Sequence, residues 1–250
     1  MISNSVKDSF GRVASKYDEN ADIQKHSLSA LINFFFSKIK IKDDEEFNGL
    51  EIGCGTGEFS KHLINRINFQ SLSLLDISKN MLEIAQKKNG KEFVNLVESD
   101  FDDFKDYSKF NIIFSNMSIH WSKDFKKLVL KILNSVKKNG IIVLSYVNSS
   151  SFKYFNNLNT FNHNLLNTFP KHKDFLNLID RKRFKYFQKE ITIKKLYDRP
   201  LDFFVDLKSY GANFKLNSKE VGKLFMLRKI KKQIDINFNI SCYSLRKIDL

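Results

Sequence analysis

The feature that most constrains the fold is the glycine-rich segment Leu50-Glu-Ile-Gly-Cys-Gly-Thr-Gly57. It lies between a predicted strand, Phe47–Ile52, and a predicted helix, Glu58–Ile67. Three glycines at alternate positions allow the backbone to turn sharply and to approach a ligand where a Cβ atom would collide. Their spacing departs from the G-x-G-x-x-G of dinucleotide-binding enzymes. A strand, a glycine turn and a helix in this order predict an α/β fold with a ligand at the end of the first strand.

The alternation of strand and helix continues along the chain. An amphipathic helix, Asp22–Lys40, precedes the sheet, and Ser78 is expected to cap a helix that runs to Lys88. Further strands are predicted over Ser71–Ile77, Phe93–Val97, Phe110–Ser115 and Gly140–Val147, and a further helix over Lys123–Lys138. We expect Asn139-Gly140 to end that helix, with the glycine left-handed. This order predicts a mostly parallel sheet with helices on both faces.

Beyond Val147 the pattern weakens. Residues 150–190 and Leu201–Lys232 are predicted to be helical, and Glu190–Tyr197 and Asn239–Ile248 to be late strands. The 250 residues, 42% of them hydrophobic, are enough for one core with a cap. We expect a single domain over residues 1–250, divided into N-terminal cap helices (1–40), a ligand-binding core (47–147) and a C-terminal substrate cap with the final strands (148–250).

Composition excludes several function classes. The two cysteines, Cys54 and Cys242, give neither a disulfide framework nor metal-ligand spacing, so no metal is expected. The N-terminus lacks the apolar core of a signal peptide, and no apolar run approaches the roughly 20 residues of a membrane helix. A cytoplasmic protein without membrane contact is therefore expected. The net charge is +14, with cations concentrated after residue 170, but no nucleic-acid motif accompanies them and no such partner is expected.

Polar residues follow successive predicted strands. Asp76 ends the second strand, about 20 residues beyond the glycines, the separation at which an acid meets ribose hydroxyls in Rossmann-type sites. A helix-capping role is the alternative for this carboxylate. Ser99-Asp-Phe101 follows the third strand, and Ser115-Asn-Met-Ser-Ile-His-Trp121 follows the fourth. The switch-point crevice of such a sheet would put these side chains near a ligand on the glycine loop.

Together these segments resemble the motifs of class I S-adenosylmethionine-dependent methyltransferases, which have a Rossmann-like sheet with an antiparallel last strand. The resemblance implies S-adenosylmethionine as cofactor, with its methionine part beside the glycine loop and its ammonium group near Glu51. It also implies that Asp76 binds the ribose, that Asp100 accepts from the adenine amino group, and that Asn116 hydrogen-bonds the cofactor. Met81 would pack near adenine or belong to the core. The implied cofactor-binding residues are Gln24, Glu51, Gly53, Gly55, Gly57, Asp76, Ile77, Met81, Asp100, Phe101 and Asn116.

A narrower resemblance covers most of the chain, to the malonyl-acyl-carrier-protein O-methyltransferases of biotin synthesis. It rests on Ser9–Asp18, Ala21–Gln24, Phe114–Trp121, Leu207-Lys-Ser-Tyr-Gly-Ala-Asn213 and Ser241-Cys-Tyr-Ser-Leu245, of which the last two discriminate best. There are two departures: Lys25 stands where the family usually has arginine, and Asn139-Gly140 replaces Pro-Gly. Lysine offers only a point charge, which weakens any expectation of a bidentate contact to a substrate carboxylate there.

This resemblance implies methylation of the free carboxylate of malonyl-acyl carrier protein, or of malonyl-CoA, giving the methyl ester that starts pimeloyl and biotin synthesis. The carboxylate is already ionised at pH 7, so alignment and exclusion of water matter more than acid–base chemistry. The expected catalytic residues are Tyr17, His120 and Trp121, with Gln24 helping to close the pocket; ordinary packing is the alternative for each. Because acyl carrier proteins are acidic, we expect the cations after residue 170 to form a positive face around the pocket mouth that steers docking. They include Arg181, Lys182, Arg183, and later Arg228, Lys229, Lys231 and Lys232.

Two alternatives remain open at this point. A methyltransferase acting on another small acid or a quinol would share the general motifs, and only the late Leu-Lys-x-x-Gly-Ala pattern argues against it. A non-methylating homologue, such as the assembly factors and hydroxylases of respiratory complex I, would retain the fold. Intact Glu51, Asp76 and Asp100 favour retained cofactor binding in either case.

Overall fold

The computed structural model describes residues 2–156, 168–212 and 227–248. Three helices precede the sheet: α1 (Ile2–Val13), α2 (Tyr17–Asn20) and α3 (Asp22–Lys38). The last is the predicted amphipathic helix, and its Leu28, Leu31 and Phe35 are buried in the core. No helix among the described residues combines the length and the apolar character needed to cross a membrane.

Seven strands form one sheet in the order β3-β2-β1-β4-β5-β7-β6. Their bounds are β1 Glu46–Ile52, β2 Asn68–Asp76, β3 Val94–Glu98, β4 Ile112–Asn116, β5 Ile141–Val147, β6 Phe184–Tyr197 and β7 Ile234–Lys247. Neighbours from β3 to β5 are parallel, whereas β7 runs antiparallel to both β5 and β6. The mostly parallel sheet with an antiparallel last strand is therefore confirmed.

Helices cover both faces of the sheet: α4 (Glu58–Ile64), α5 (Lys79–Asn89), α6 (Phe125–Ser135), α7 (Lys153–Asn156), α8 (His172–Leu176) and α9 (Pro200–Ser209). Successive residues of β4 and β5 point to opposite faces. Phe114 and Val143 belong to the core that α3, α4 and α5 cover, and Ile113 and Ile142 to the core under α6 and α8. All seven residues of β5 are buried, as a central strand requires.

The predicted helical character of residues 150–190 is wrong in its last part. Strand β6 begins at Phe184, and residues Phe184–Glu190 pair with Lys247–Ser241 of β7. Most of β6 is at least partly exposed because it is the edge strand, so its mixed lysine and aromatic sequence lacks the apolar run of a buried strand. Of the helix predicted over 201–232, α9 is found, residues 213–226 lie outside the described ones, and residues 228–233 are not helical.

The expectation at Asn139-Gly140 is also wrong in its detail. The helix ends earlier, at Ser135, and it is Asn139 that takes the left-handed conformation, with φ +58°. Gly140 has a different reason to be glycine, because a Cβ there would lie 2.7 Å from the Lys137 carbonyl oxygen and 2.9 Å from that of Asn111. Close approach of the backbones, rather than handedness, requires it.

The segment after α9 meets α1 over the carboxyl edge of the sheet. Gly211, just after α9, has φ +82°, and a Cβ on it would lie 2.9 Å from the Phe10 ring of α1 and 3.1 Å from the Ser9 carbonyl oxygen. The turn is closed by a hydrogen bond from the Ala212 amide to the Leu207 carbonyl. The described part of the late segment, Leu207–Ala212, therefore packs directly against the N-terminal helices.

We expect Gly211→Ala to lower the free energy of unfolding by about 2 kcal/mol, because it adds a left-handed non-glycine residue and crowds α1. Urea denaturation would measure the loss. Ser209→Ala, two residues earlier and at an ordinary helical position, is the matched control and should cost under about 1 kcal/mol. Equal costs for the two variants would contradict the packing described for Gly211.

Candidate active site

One cavity opens at the carboxyl ends of β1, β2 and β4, below the N-terminal helices. It encloses about 1100 Å³ of space that no atom occupies, part of it open to solvent. Of the predicted site residues, only Glu51 and Gly57 are outside its wall. The predicted residues that line it are Tyr17, Gln24, Gly53, Gly55, Asp76, Ile77, Met81, Asp100, Phe101, Asn116, His120 and Trp121.

The three loop glycines are all left-handed but serve different contacts. Gly53, Gly55 and Gly57 have φ +61°, +52° and +76°. A Cβ on Gly53 would collide with the Ser118 side chain, 1.7 Å from Oγ, and one on Gly57 would lie 3.2 Å from the Cα of Ala85 in α5. A Cβ on Gly55 would meet nothing within 4 Å, because that glycine faces the cavity. Gly55 therefore provides space for a ligand, and Gly57 allows α4 and α5 to pack closely.

Asp76 joins the loop to the end of β2. Its Oδ2 accepts from the Gly55 amide and its Oδ1 from the Ser78 amide, both at 2.9 Å. Burial raises the pKa of this carboxyl, while the backbone donors act in the opposite direction. Each carboxylate oxygen has further acceptor capacity. The side chain can therefore accept from a ligand hydroxyl without giving up its hold on the loop.

Glu51 lies behind the glycine loop. Its buried carboxyl accepts from the amide of Ser60, at 3.1 Å, and from the Ser60 hydroxyl. Burial raises its pKa to about 8. The side chain thus orients the start of α4, and it is not part of the cavity wall where the resemblance places a cofactor ammonium group.

Asp100, another residue of the cavity wall, accepts hydrogen bonds from two donors. Its Oδ1 accepts from the Asp102 amide at 3.0 Å, and its Oδ2 pairs with the Lys123 ammonium at 2.9 Å. Lys123 is the only cationic side chain among the described residues that line the cavity. The sequence did not identify Lys123 as a site residue, because it is one of several lysines near the start of α6.

The Asn116 amide ties α3 to the strand ends. Its Oδ1 accepts from the hydroxyls of Ser27, at 2.9 Å, and Ser145, at 2.7 Å, and its Nδ2 donates to the Gln24 carbonyl at 3.1 Å. The next residue, Met117, has φ +51° and donates its amide to Ser145 Oγ. The sequence did not reveal either serine, since each comes from a different element.

The remaining wall is aromatic. Trp121 packs edge-on against Phe10 of α1, with ring centroids 5.8 Å apart. His120 lies between Trp121 and Phe169. Phe152, Phe238 and Tyr210 complete this wall. The sequence pointed to Tyr210 only through the late Leu207–Asn213 segment and gave no signal for the phenylalanines.

Two buried polar atoms at the wall have no partner among the described residues: Gln24 Oε1 and His120 Nδ1. Burial lowers the pKa of His120 to about 3, so this imidazole is neutral at physiological pH. Unpartnered buried polar atoms are costly unless a ligand or water pairs with them. Together with the space in front of Gly55 and the carboxylate of Asp76, the unpartnered Gln24 oxygen fits a polar nucleoside cofactor.

An ion cluster connects the N-terminal helices to the loop. The Lys88 ammonium, at the end of α5, contacts Asp18 Oδ2 at 2.8 Å and Glu58 Oε2 at 2.6 Å. Thr56, inside the loop, donates its hydroxyl to Asp18 Oδ1 at 2.6 Å. Because the Lys88 side chain is only 16% exposed, these contacts are shielded from solvent more than a surface ion pair. They hold α2, and with it Tyr17, over the glycine loop.

The expected place of Arg181-Lys-Arg183 is wrong. These residues precede Phe184, the first residue of β6, and β6 is parallel to β5. Arg183 donates to Asn134 at the end of α6, and its carbonyl accepts from Ile248 after β7. The run therefore lies at the amino edge of the sheet, and the cavity is at the carboxyl edge. Sequence clustering of charge did not indicate which edge the cations occupy.

The different contacts of Gly55 and Gly57 predict opposite effects of the same substitution. We expect Gly57→Ala to lower the free energy of unfolding by about 3 kcal/mol, because α5 must move, and Gly55→Ala by about 1 kcal/mol of backbone strain. Affinity for S-adenosylmethionine should show the reverse order, since only Gly55→Ala fills the cavity. Urea denaturation would measure the free energy of unfolding and calorimetry the affinity, and each variant is the control for the other. The same order in both measurements would contradict these assignments.

The raised pKa of Glu51 predicts a pH-dependent stability. Between pH 4.5 and about 8 the folded state holds a proton on this carboxyl that the unfolded state releases. The contribution to stability is therefore fully present at acidic pH and is lost as the pH rises towards 8. We expect the unfolding free energy of wild type minus that of Glu51→Gln to fall from pH 5 to pH 8. A difference that stays constant or grows would contradict protonation of the buried carboxyl.

Comparisons with known proteins agree with this geometry. A family model described as a methyltransferase domain matches residues 17–189. The chain is 32% identical over 220 residues to malonyl-[acyl-carrier protein] O-methyltransferase 2 of Ilyobacter polytropus, with 86% of this chain and 83% of that protein covered. It is 31% identical to the malonyl-[acyl-carrier protein] O-methyltransferase of Calditerrivibrio nitroreducens, covering 83% and 79%.

Solved structures show the same fold. YcgJ of Bacillus subtilis has a TM-score of 0.63 at 16% identity, covering 90% of this chain and 100% of that one. The N-methyltransferase NodS of Bradyrhizobium japonicum, in complex with S-adenosyl-L-homocysteine, has a TM-score of 0.60 at 11% identity, covering 98% and 100%. The chain is a class I methyltransferase with S-adenosylmethionine as its cofactor, and it belongs to the malonyl-[acyl-carrier protein] O-methyltransferase family.

Proposed function

We propose that the protein methylates the free carboxylate of a malonyl thioester carried by acyl carrier protein, in the cytoplasm, as a step towards biotin. The observation that carries the proposal is one continuous cavity with two unlike halves. The loop and strand-end acids line one half, and the aromatic wall lines the other. A cofactor in the first half would direct its reactive group towards a small acyl group in the second. The names of the relatives support the choice of acyl group.

The cofactor half has a donor and acceptor set suited to S-adenosylmethionine. Gly55 leaves room for the methionine part, Asp76 offers acceptors to the ribose hydroxyls, and Asp100 and Phe101 would hold adenine. When bound, this cofactor supplies an electrophilic methyl group on a positively charged sulfur. The protein's own task is to hold that group in line with the acceptor and to exclude water.

The acceptor half needs no strong base. A malonyl carboxylate is ionised at neutral pH, and His120, kept neutral by burial, is not required to remove a proton. No arginine or lysine is among the described residues of this half, so the carboxylate would meet neutral groups such as the hydroxyls of Tyr17 and Tyr210. Burial raises the pKa of both tyrosines, so each remains a donor throughout the physiological range.

Neutral donors suit this reaction better than a cation would. A guanidinium bound to the acceptor would withdraw charge from the nucleophile. Phenol hydroxyls orient the carboxylate and leave most of its charge available. The aromatic wall lowers the local dielectric, which strengthens attraction between the carboxylate and a positive sulfur. Charge is then neutralised as the methyl group is transferred.

We expect wild-type protein to methylate malonyl-acyl carrier protein with labelled S-adenosylmethionine, and Tyr17→Phe to reduce kcat about 100-fold, as removal of one positioned donor does. Cofactor affinity, measured by calorimetry, should change much less. Tyr186→Phe, on the edge strand away from the cavity, is the control and should keep full activity.

Free malonate and a quinol serve as competing acceptors in the same assay. Faster methylation of either one would replace the proposed substrate. Cofactor binding without transfer to any acceptor would place the protein with the non-methylating homologues.

A further inference from the structure

The paired strands β6 and β7 extend well beyond the rest of the sheet at its carboxyl edge. Strand β5 ends at Val147, which pairs with Ile240. Among the described strands, residues Ile234–Asn239 of β7 therefore pair only with β6, up to the contact of Ile234 with Tyr197. The chain after β5 adds two amide hydrogen bonds, from Asn148 and Phe152 to the carbonyls of Asn239 and Asn237. Phe238, within this extension, lines the acceptor half of the cavity. The extension thus leads from the aromatic wall outward.

Four cations lie directly before the outer end of this extension. Arg228, Lys229, Lys231 and Lys232, here called the tip cluster, are exposed and precede Ile234. Lys229, Lys231 and Lys232 make no ion pair with a carboxylate of the described residues. Two nearby acids, Asp198 and Asp235, offset the charge only in part, and Asp198 accepts a hydrogen bond from Gln233.

The distance from the tip cluster to the cavity can be compared with the reach of an acyl carrier. Phe238 is six positions after Lys232, which is at most about 20 Å of extended chain. An acyl carrier presents its thioester on a phosphopantetheine arm of roughly 15 to 20 Å, the extended length of about five residues. A carrier whose acidic surface rests on the tip cluster would therefore reach the aromatic wall with its acyl group.

We propose that the tip cluster is the docking surface for the acidic acyl carrier protein whose malonyl group enters the cavity. This inference rests on the proposed function and adds the place of the partner. The cations attract the carrier and set its distance, while the aromatic wall receives the acyl group. The amino-edge run Arg181-Lys-Arg183 is separated from the cavity by the length of the sheet and has no part in docking.

The two runs supply a matched pair of triple variants. Lys229→Glu/Lys231→Glu/Lys232→Glu and Arg181→Glu/Lys182→Glu/Arg183→Glu change the net charge equally, one at each edge of the sheet. Both are assayed with malonyl-acyl carrier protein and with malonyl-N-acetylcysteamine, a thioester without a carrier. Thermal unfolding of both variants shows that each is folded under the assay conditions.

We expect the tip-cluster variant to raise KM for malonyl-acyl carrier protein about tenfold at low salt, with kcat little changed and a smaller salt dependence. The amino-edge variant should stay within about twofold of wild type. Neither should alter kcat/KM for the small thioester. An unchanged KM in the tip-cluster variant, or an equal rise in both variants, overturns the docking surface.

Two further outcomes separate the causes of failure. A parallel loss for the small thioester in the tip-cluster variant means that the substitutions disturb the cavity, and it also overturns the docking surface. If wild-type protein binds S-adenosylmethionine but methylates neither thioester, the proposed function itself fails. Normal methylation of both thioesters with no effect of the tip cluster leaves the proposed function standing and removes only the docking surface.

Discussion

The site depends first on the pair of hydrogen bonds that Asp76 accepts from Gly55 and Ser78. The bond from Gly55 fastens the end of β2 to the glycine loop after β1, so the two strands share one polar edge, and the local bond from Ser78 holds the carboxylate in place. The Cys54 amide, which donates to the Leu75 carbonyl, continues the same connection. Asn116 then joins α3 to β4 and β5. Without the first link, the strand ends would present isolated polar groups rather than one cavity.

The parts of the fold and of the site that could be predicted from the sequence are those that a local sequence pattern marks. The strands β1, β2, β4 and β5 were predictable because they are largely buried and form apolar runs beside glycines or acids. Asp76 and Asp100 were found because each is an aspartate at or just after the end of a predicted strand. The first half of β6 was not, since an edge strand is exposed and has no apolar run. Ser27, Ser145 and Lys123 are common residues whose roles arise only when distant segments meet.

The N-terminal helices and residues Leu207–Ala212 act as one cover. Gly211 packs on Phe10, Phe10 packs on Trp121, and the Lys88 cluster holds α2 over the loop. The aromatic half of the cavity is therefore built from the N-terminal helices and the late segments together with His120, Trp121 and Phe152, and the polar half from the middle of the chain. This division explains why general methyltransferase motifs identify the cofactor, whereas the terminal segments discriminate between acceptors.

The order β5-β7-β6 has a consequence for synthesis of the chain. Strand β6 is made before β7, and β7 is its partner in the sheet among the strands that the structure describes. Until β7 has been synthesised, the 14 residues of β6 therefore lack the strand that satisfies their amide groups in the finished sheet. Lysines spaced along that segment, at 185, 189, 194 and 195, discourage its pairing with another nascent chain. We expect the sheet to be completed only after residue 247 leaves the ribosome, in a late and slow step.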